Sequence, residues 1–356
     1  MRIGIPREIK PREGRVGLTP EACGELVHAG HELFLEQGAG AASGFADAQY
    51  QALGVTILPD AAALYERARM IVKVKEPIGP ELELLRREHL LFCYLHLAAS
   101  EPLTRRLQEI GLTAVAFETV EEQGHLPLLA PMSDIAGRIA VQVGAHLLYR
   151  TEGGKGVLLG GLPGTPRGRV VVLGAGCAGE SAARVAANLG AQVTVFEKRR
   201  ERLAAMYHLG RQITALYSYQ SKLAEAVRQA DLLIGAVLIP GAKAPTLVTE
   251  ALVKEMQPGS VIVDISVDQG GCIETIHPTS YEAPTYKLHD ILHFGVTNMP
   301  GAVPRTASLA LSAAITPYAL LLAAGGWEQN PALRAGVNLR DGRIEYPALR
   351  ALFGAA

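Results

Sequence analysis

Three residues in the first third of the chain stand where their side chains could handle a carboxylate or carbonyl ligand. Arg15 follows the first predicted strand in a glycine-flanked loop, and a guanidinium offers a hydrogen-bonding fork that matches a carboxylate. Lys75 and His96 end the apolar runs 70–74 and 90–95. Ligands of open α/β sheets bind at such strand ends, and histidine titrates near neutral pH. Acid–base chemistry is therefore possible here. The alternative is that the arginine is a solvated surface residue, the lysine lies at an exposed sheet edge and the histidine is structural, which are the ordinary roles of these residue types.

Two other positions affect this interpretation. Lys73 has the same strand parity as Lys75, so a structural role has to be considered for both lysines. Further along the chain, Asp268 follows the predicted strand 260–265, whereas Asp264 lies inside that strand and is interpreted as structural. Asp268 is therefore the better placed carboxylate to face a ligand.

Residues 169–198 carry the pattern of a dinucleotide-binding turn. A fully apolar strand leads into G-x-G-x-x-G at Gly174, Gly176 and Gly179, and a helical pattern follows. The first glycine permits a tight turn, the second lets a pyrophosphate approach the backbone, and the third lets the helix pack on the strand. The helix N-terminus offers unpaired N–H groups and a positive dipole end to phosphates. The predicted coenzyme contacts of this turn are Gly174, Ala175, Gly176, Ala178 and Gly179.

Glu197 ends the next predicted strand, 23 residues after Gly174, and its carboxylate can accept hydrogen bonds from a ribose diol. A carboxylate repels a 2′-phosphate, which favours NAD over NADP. Lys198, Arg199 and Arg200 follow at once and could attract that phosphate, so NADP is disfavoured but stays open. The alternative is a glycine turn without a ligand. Both strands, the helix and the acid in register favour nucleotide binding, and nothing else in the sequence indicates a flavin site.

Short apolar runs alternate with helical patterns along most of the chain. Strands separated by helices imply parallel pairing through right-handed crossovers, so both halves are predicted to be α/β. Ser133 is a plausible N-cap of a long helix over 133–147 between the two halves. A last helix over 306–322 is followed by a polar tail that lacks strand alternation and is expected to return to the first domain. The strands predicted in the second half are 169–173, 192–196, 213–217, 231–237 and 260–265.

Composition limits the class of protein. The chain has 356 residues, of which 49% are hydrophobic and 19% charged, so two packed domains are expected. A net charge of −1 gives no positive excess that would attract nucleic acid or an anionic membrane. The most apolar segment, 307–324, contains Ser, Thr and Pro317 and is interpreted as a buried helix rather than a membrane span.

The cysteines and histidines do not form the usual patterns of disulfide or metal sites. The four cysteines are scattered without a CxxC pair, and the charged start of the chain lacks the apolar stretch of a signal peptide. We therefore expect a reducing, cytoplasmic location. His289 and His293 are four residues apart, as helical metal ligands can be, yet no acid–histidine zinc pattern accompanies them, and no metal is expected.

Six segments, in order and spread over nearly the whole chain, resemble bacterial alanine dehydrogenases. They are GIPREIKPREGRVGLTP at 4–20, VKVKEP at 72–77, LHLAAS at 95–100, LLAPMSDIAGR at 128–138, GAVLIPGAKAP at 235–245 and VDISVDQGGC at 263–272. The resemblance implies an α/β fold of two Rossmann-like, doubly wound parallel-sheet domains with a cleft between them. It assigns 1–128 and 304–356 to a discontinuous substrate domain and 129–303 to an NAD-binding domain. It also implies a homo-oligomer, usually a hexamer.

The implied activity is the reversible, NAD-dependent oxidative deamination of L-alanine to pyruvate and ammonium. By this resemblance Arg15 binds the substrate carboxylate, and Lys75 binds the carboxylate or carbonyl oxygen with a possible role in proton transfer. His96 becomes the acid–base group of imine hydration, and Asp268 stabilises the iminium and orients water. The further NAD contacts implied are Ser133, Arg202, Ser218, Val237, Leu238, Asp268, Asn298 and Met299.

Two alternatives share this fold. One is the soluble NAD-binding subunit of a proton-translocating transhydrogenase, which would keep the glycine turn without needing an amino-acid clamp. The other is a dehydrogenase for another amino acid, such as a lysine-forming saccharopine dehydrogenase, which would differ in the size of its pocket. The final LRALFGAA departs from the family pattern, which leaves assembly through the tail open.

Overall fold

The structure, a computed structural model, describes residues 1–237 and 244–354, so that Leu238 lies outside the described residues. Within these ranges the strands are β1 (Arg2–Ile5), β2 (Glu32–Glu36), β3 (Thr56–Leu58), β4 (Met70–Val72), β5 (Leu90–Cys93), β6 (Thr113–Ala116), β7 (Arg169–Leu173), β8 (Gln192–Glu197), β9 (Ile213–Tyr217), β10 (Leu232–Gly235), β11 (Val261–Asp264), β12 (Thr285–Leu288), β13 (Ile291–Phe294), β14 (Val337–Arg340) and β15 (Arg343–Ile344). The α-helices are α1 (Pro20–His28), α2 (Asp47–Gln51), α3 (Ala61–Arg67), α4 (Glu81–Leu84), α5 (Glu101–Ile110), α6 (Ala130–Leu147), α7 (Cys177–Asn188), α8 (Arg200–Tyr207), α9 (Gln220–Gln229), α10 (Glu250–Val253), α11 (Pro304–Ala324), α12 (Pro331–Gly336) and α13 (Pro347–Phe353).

The chain folds into two compact units. One comprises Met1–Met132 with Gly301–Ala356, and its sheet has the order β15-β14-β6-β5-β4-β1-β2-β3. From β6 to β3 the neighbouring strands are parallel, while β14 pairs antiparallel with both β6 and β15. The strand order reverses between β4 and β1. In open α/β sheets such a reversal leaves a crevice at the carboxyl ends of the strands, which is where ligands bind.

The second unit, Ser133–Pro300, has its own sheet in the order β12-β13-β11-β10-β7-β8-β9. Its neighbouring strands are parallel except for the β12–β13 pair at one edge. The order reverses here between β7 and β10. The turn after β7 is closely packed on the segment after β10, since a Cβ atom at Gly174 would lie 2.6 Å from the carbonyl oxygen of Ala236.

Burial follows from the composition of the strands. The central strands of both sheets are short apolar runs with helices on their faces, so β4, β10 and β11 are buried along their whole length. Small residues on α7 allow close approach to its sheet, with Ala182, Ala183 and Ala186 fully buried. The predicted fold class, two Rossmann-like α/β domains, is confirmed, with antiparallel strands added at one edge of each sheet.

Helix α11 is long and apolar enough to pass as a membrane span by length and composition, but 44% of its most apolar window is buried inside the structure. Its buried face includes two serines, which accept hydrogen bonds from the loop after β1. Val16 N donates to Ser308 Oγ and Thr19 N donates to Ser312 Oγ, each at 2.9 Å. Core helices satisfy the same apolar criterion, so the helix is weak evidence for a membrane.

Two predictions about local structure are wrong. Ser133 does not cap α6, because the helix begins at Ala130 and Ser133 lies inside it. The tail also contains strands, since β14 extends the first sheet beside β6 and β15 pairs with β14. These strands are too short to show alternation, and the polar Asn338 within β14 is buried because its amide donates to Thr119 Oγ1 at 2.7 Å.

Candidate active site

Lys73 and Lys75, which strand parity leaves equivalent, have different surroundings. Lys73 directly follows β4 and is buried, with its Nζ 3.2 Å from Glu8 Oε2 and 3.1 Å from Glu81 Oε1. Lys75 lies two residues further and is partly exposed. Burial, reinforced by the positive charge of Arg15, lowers the pKa of Lys75. The structure therefore places Lys73 in an internal ion-pair network and leaves Lys75 as the lysine whose ammonium can meet a ligand.

Arg15 is buried, with 2% of its surface exposed, and is not a solvated surface residue. It forms a two-pronged ion pair with Glu13, in which Nε lies 2.7 Å from Oε1 and Nη2 lies 2.5 Å from Oε2. Its Nη1 is also 3.2 Å from Met132 Sδ. Glu13 thus fixes the plane of the guanidinium, which is what recognition of a carboxylate by a planar fork requires.

His96 has an exposed ring on a constrained backbone. Its φ of 49° and ψ of 37° are left-handed, a conformation that costs a residue other than glycine about 1–3 kcal/mol unless the surroundings hold it. Glu118 supplies that support, because its carboxylate accepts hydrogen bonds from His96 N at 2.6 Å and from Leu95 N at 3.2 Å. The ring stacks on Tyr94, with centroids 5.9 Å apart and planes 8° from parallel.

These residues belong to one neighbourhood of the first unit. Arg15, Lys75 and His96 follow β1, β4 and β5, which are adjacent strands at the reversal of the sheet. The charge of Arg15 acts on the pKa of both Lys75 and Tyr94, and Tyr94 is the stacking partner of His96. The arrangement provides a carboxylate fork, an ammonium of lowered pKa and an exposed imidazole.

In the second unit, the three glycines of the turn have different packing. A Cβ atom at Gly179 would lie 1.9 Å from the carbonyl oxygen of Gly174, and Gly174 itself has a φ of 95°. A Cβ atom at Gly176 would meet nothing within 4 Å. The first and third glycines are thus required by the fold, whereas the space over Gly176, at the N-terminus of α7, is open to a ligand. The turn therefore fits the pyrophosphate of a dinucleotide.

Glu197 is the last residue of β8, as predicted, and its carboxylate is tied to the glycine turn. Oε2 accepts a hydrogen bond from Ala175 N at 3.0 Å, and Oε1 accepts from the backbone N–H groups of Lys198 and Arg199 at 2.8 and 3.1 Å. Partial burial raises its pKa, but hydrogen bonds from the Arg199 side chain and from these backbone groups outweigh burial and lower the pKa to about 2. The side chain is therefore an anion at any physiological pH, beside the cation of Arg199 at 3.2 Å.

Asp268 is exposed and lies in the short 3-10 helix Val267–Gln269, which Asp264 anchors. Asp264 is fully buried, and its carboxylate accepts hydrogen bonds from Ser266 N and Cys272 N, both at 2.8 Å. Asn298 N lies 3.4 Å from Asp268 Oδ2. The structure thus gives Asp264 the structural role predicted for it and brings Asp268 and Asn298 together.

The other predicted coenzyme contacts occupy different elements of the second unit. Ser218 follows β9 and Val237 follows β10, on the edge where the carboxyl ends of the parallel strands meet. Met299 is buried just after Asn298, Arg202 lies in α8, and Ser133 lies within α6. His289 and His293 do not form a joint site: His289 Nε2 contacts Glu250 Oε1 and His293 Nε2 contacts Thr275 Oγ1, each at 2.8 Å. Among residues 1–237 and 244–354, no three His, Cys, Asp or Glu side chains are grouped to hold a metal ion.

The acids that hold the basic groups in place are not among the predicted site residues. Glu13 orients Arg15, Glu118 supports His96, and Glu8 pairs with Lys73. Only Glu13 is linked to its partner by spacing along the chain, since it lies two residues before the arginine that it binds. Glu118 lies just past the end of β6, as Lys75 and His96 lie past the ends of β4 and β5. That position at a strand end is a signal from which Glu118 could have been predicted.

Family models match both parts of the chain. Residues 4–136 match the family described as "Alanine dehydrogenase/PNT, N-terminal domain", and residues 140–347 match "Alanine dehydrogenase/PNT, C-terminal domain". The chain is 49% identical over 355 residues to an alanine dehydrogenase of Bacillus subtilis (strain 168), covering 98% of this chain and 94% of the relative.

Two solved structures extend the comparison. One, named L-alanine dehydrogenase, is 50% identical with a TM-score of 0.95 and covers 99% of both chains. A transhydrogenase from Sinorhizobium meliloti is 26% identical with a TM-score of 0.84, and the match covers 98% of this chain and 100% of that chain. The resemblance predicted from the sequence motifs is thereby confirmed, and the chain belongs to the alanine dehydrogenase/PNT family.

Proposed function

We propose that the chain is an alanine dehydrogenase that uses NAD, converting L-alanine, NAD⁺ and water to pyruvate, ammonium, NADH and a proton, reversibly. The observation that carries this proposal is the near-identical fold and 50% identity to a solved L-alanine dehydrogenase over 99% of the chain. The solved transhydrogenase is less similar, at 26% identity. The activity assigned here needs both a clamp for a small amino acid and a dinucleotide turn, and the chain has residues suited to each.

The first unit supplies the groups for the amino acid. We assign the substrate carboxylate to Arg15, whose guanidinium Glu13 already holds in one plane. Lys75 contacts the carboxylate or, in the reverse direction, the carbonyl oxygen of pyruvate. The lowered pKa of Lys75 lies closer to neutral pH than that of an ordinary lysine, which suits a group that gives up or takes a proton during turnover.

We assign acid–base chemistry to His96. In imine hydration it takes the proton of the attacking water and returns one to the nitrogen that leaves as ammonia. Its exposed ring gives exchange with solvent, and the stacked Tyr94 together with Glu118 restricts its orientation. Asp268 stabilises the positive iminium nitrogen and orients the water.

The second unit supplies the dinucleotide site. We assign the pyrophosphate to Gly174, Ala175, Gly176, Ala178 and Gly179, and the adenosine ribose to Glu197. When bound, the nicotinamide accepts a hydride from the Cα atom of the amino acid. The remaining contacts proposed from the family are Ser133, Arg202, Ser218, Val237, Leu238, Asp268, Asn298 and Met299.

We also propose the organisation that the family resemblance implies. Residues 1–128 with 304–356 form the substrate domain, and 129–303 form the NAD-binding domain. The enzyme assembles as a homo-oligomer, expected to be a hexamer, in the cytoplasm, where the four free cysteines would stay reduced. Light scattering in solution gives the subunit number.

The direct test is NADH formation, followed by absorbance, across a panel of amino acids and with NADP in parallel. We expect L-alanine with NAD to give the highest kcat/KM. Binding of NAD without any alanine-dependent reduction, from neutral to alkaline pH, would contradict the proposal. Transfer of hydride between two nicotinamide dinucleotides without an amino acid would favour the transhydrogenase role.

Glu197→Ser is expected to shift coenzyme preference toward NADP. The change removes an anion that repels a 2′-phosphate and releases Arg199, which now lies 3.2 Å from that carboxylate. We expect the kcat/KM for NAD to fall about tenfold, as for one lost charge-assisted hydrogen bond, and that for NADP to rise. Initial rates with both coenzymes measure the ratio. Glu201→Ser, at an exposed acid in the first turn of α8, is the matched control and should leave the ratio unchanged.

A further inference from the structure

A buried ion pair holds both backbone polar groups of Lys75. Glu8 accepts hydrogen bonds from Val74 N at 2.6 Å and from Lys75 N at 3.4 Å. Lys73 Nζ, paired with Glu8 at 3.2 Å, donates to the carbonyl oxygen of Lys75 at 3.1 Å. The segment that carries Lys75 past the end of β4 is therefore fixed from its N–H side and from its C=O side by two charges that contact each other.

Glu81 completes the arrangement on the other side of Lys73. Its carboxylate lies 3.1 Å from Lys73 Nζ, accepts a hydrogen bond from Ile78 N at 2.9 Å and receives the hydroxyl of Tyr65 at 3.3 Å. Glu81 thus holds the loop between Lys73 and Ile78. Within residues 1–237 and 244–354, no hydrogen bond joins its carboxylate to Lys75. Glu8 is the acid that reaches the backbone of Lys75.

Stability does not explain this network well. Lys73, Glu8 and Glu81 each have side chains no more than 4% exposed, so three charges have lost their water. Replacing buried ion pairs by apolar side chains of similar volume is often neutral or stabilising, which makes such pairs weak devices for stability alone. What the charged atoms do here, and apolar ones would not, is bond the backbone on both sides of the Lys75 side chain.

We propose that Glu8 and Lys73 are positioning residues that set the place of the Lys75 ammonium by holding its backbone. The inference rests on the role proposed above for Lys75 in alanine oxidation. The two act through the backbone of Lys75 and are not themselves expected to touch the substrate. They make the position of that ammonium a property of the folded first unit, with no reorganisation needed at each turnover.

Glu8→Gln tests the proposal. The amide keeps the shape and one oxygen acceptor for Val74 N, but it loses the charge that pairs with Lys73 and the second acceptor for Lys75 N. We expect kcat/KM for alanine to fall about tenfold, as when one hydrogen bond to a charged group is lost, and the Kd for NADH to stay within about twofold. Glu36→Gln is the matched control. Glu36, the last residue of the neighbouring strand β2, is also a buried acid. It accepts from Arg7 N at 2.9 Å, and within the described residues no hydrogen bond or ion pair joins it to residues 73–75.

A second measurement reports on Lys75 independently of turnover. Competitive acetylation with acetic anhydride across a pH series, read by mass spectrometry, gives the titration of each lysine. In the wild type Lys75 should titrate below exposed lysines, and in Glu8→Gln its titration should move toward theirs because the side chain gains solvent. If Glu8→Gln does not fold, the pair Glu8→Gln with Lys73→Met removes both charges together and should give the same two changes.

These measurements distinguish failure of the positioning role from failure of the proposed function. Wild-type kcat/KM and an unchanged Lys75 titration in a folded Glu8→Gln protein would overturn the proposal. Equal losses in Glu8→Gln and Glu36→Gln would also overturn it, because they would indicate general destabilisation. If the wild type shows no alanine-dependent NADH formation, the proposed function fails, while the acetylation profile still decides whether Glu8 places Lys75.

Discussion

His96→Ala is expected to lower kcat for alanine oxidation by about 10²- to 10⁴-fold, the range lost when a positioned acid–base group is removed. In the proposed reaction, water attack on the imine and departure of ammonia each need a proton to move. The exposed imidazole of His96 follows β5, the strand next to the one that Lys75 follows. NADH binding should not change, because His96 belongs to the first unit and the dinucleotide turn to the second. Steady-state kinetics and fluorescence titration with NADH measure the two effects.

His96→Asn separates the chemistry from the backbone strain. Asparagine tolerates the left-handed region better than alanine, so it should keep the backbone at a φ of 49° and the hydrogen bonds to Glu118 while removing the titratable ring. We expect it to be as inactive as His96→Ala and more stable. His125→Ala, at an exposed histidine of the same unit, should keep wild-type kcat. Substantial activity in His96→Asn would rule out the acid–base role.

The parts of the site that the sequence predicts are those fixed by neighbours along the chain. Glu197 ends β8 because an apolar run stops at a charged residue, and the three glycines after β7 need no distant partner to be recognised. Lys75 and His96 each lie three residues past the end of an apolar strand, β4 and β5. Positions at or just past the carboxyl end of a buried strand can be recognised along the chain, and within each unit the edge of the parallel sheet brings such ends together.

What the sequence does not predict depends on contacts between distant positions. Glu8 lies 65 residues from Lys73 in the chain and Glu118 lies 22 from His96, so no local spacing relates these acids to the groups they hold. The wrong start predicted for α6 has a different cause. Pro131, which favours the first turn of a helix, was a better signal than the capping type of Ser133.

Gly176→Val is expected to raise the Kd for NADH by about 100-fold while leaving the fold intact. At φ −71° and ψ −174° the backbone of residue 176 is extended, and any residue can adopt it. The side chain would meet no protein atom near its Cβ, since nothing lies within 4 Å, but it would occupy the space through which a pyrophosphate approaches the N-terminus of α7. Loss of two charge-assisted hydrogen bonds, about 1.5 kcal/mol each, corresponds to that factor.

The comparison among glycines makes this prediction specific to the ligand. Gly210→Val is the matched control, because Gly210 also has nothing within 4 Å of its Cβ position, and it should bind NADH normally. Gly179→Val should instead prevent stable folding, since its Cβ would collide with Gly174 O. Gly176→Val should lower Tm by no more than about 4 °C, the effect of a poorer helix cap. Since the fold does not require a glycine at position 176, close approach of a ligand is the reason we give for it. Unchanged NADH affinity in Gly176→Val would show that the dinucleotide does not bind at this turn.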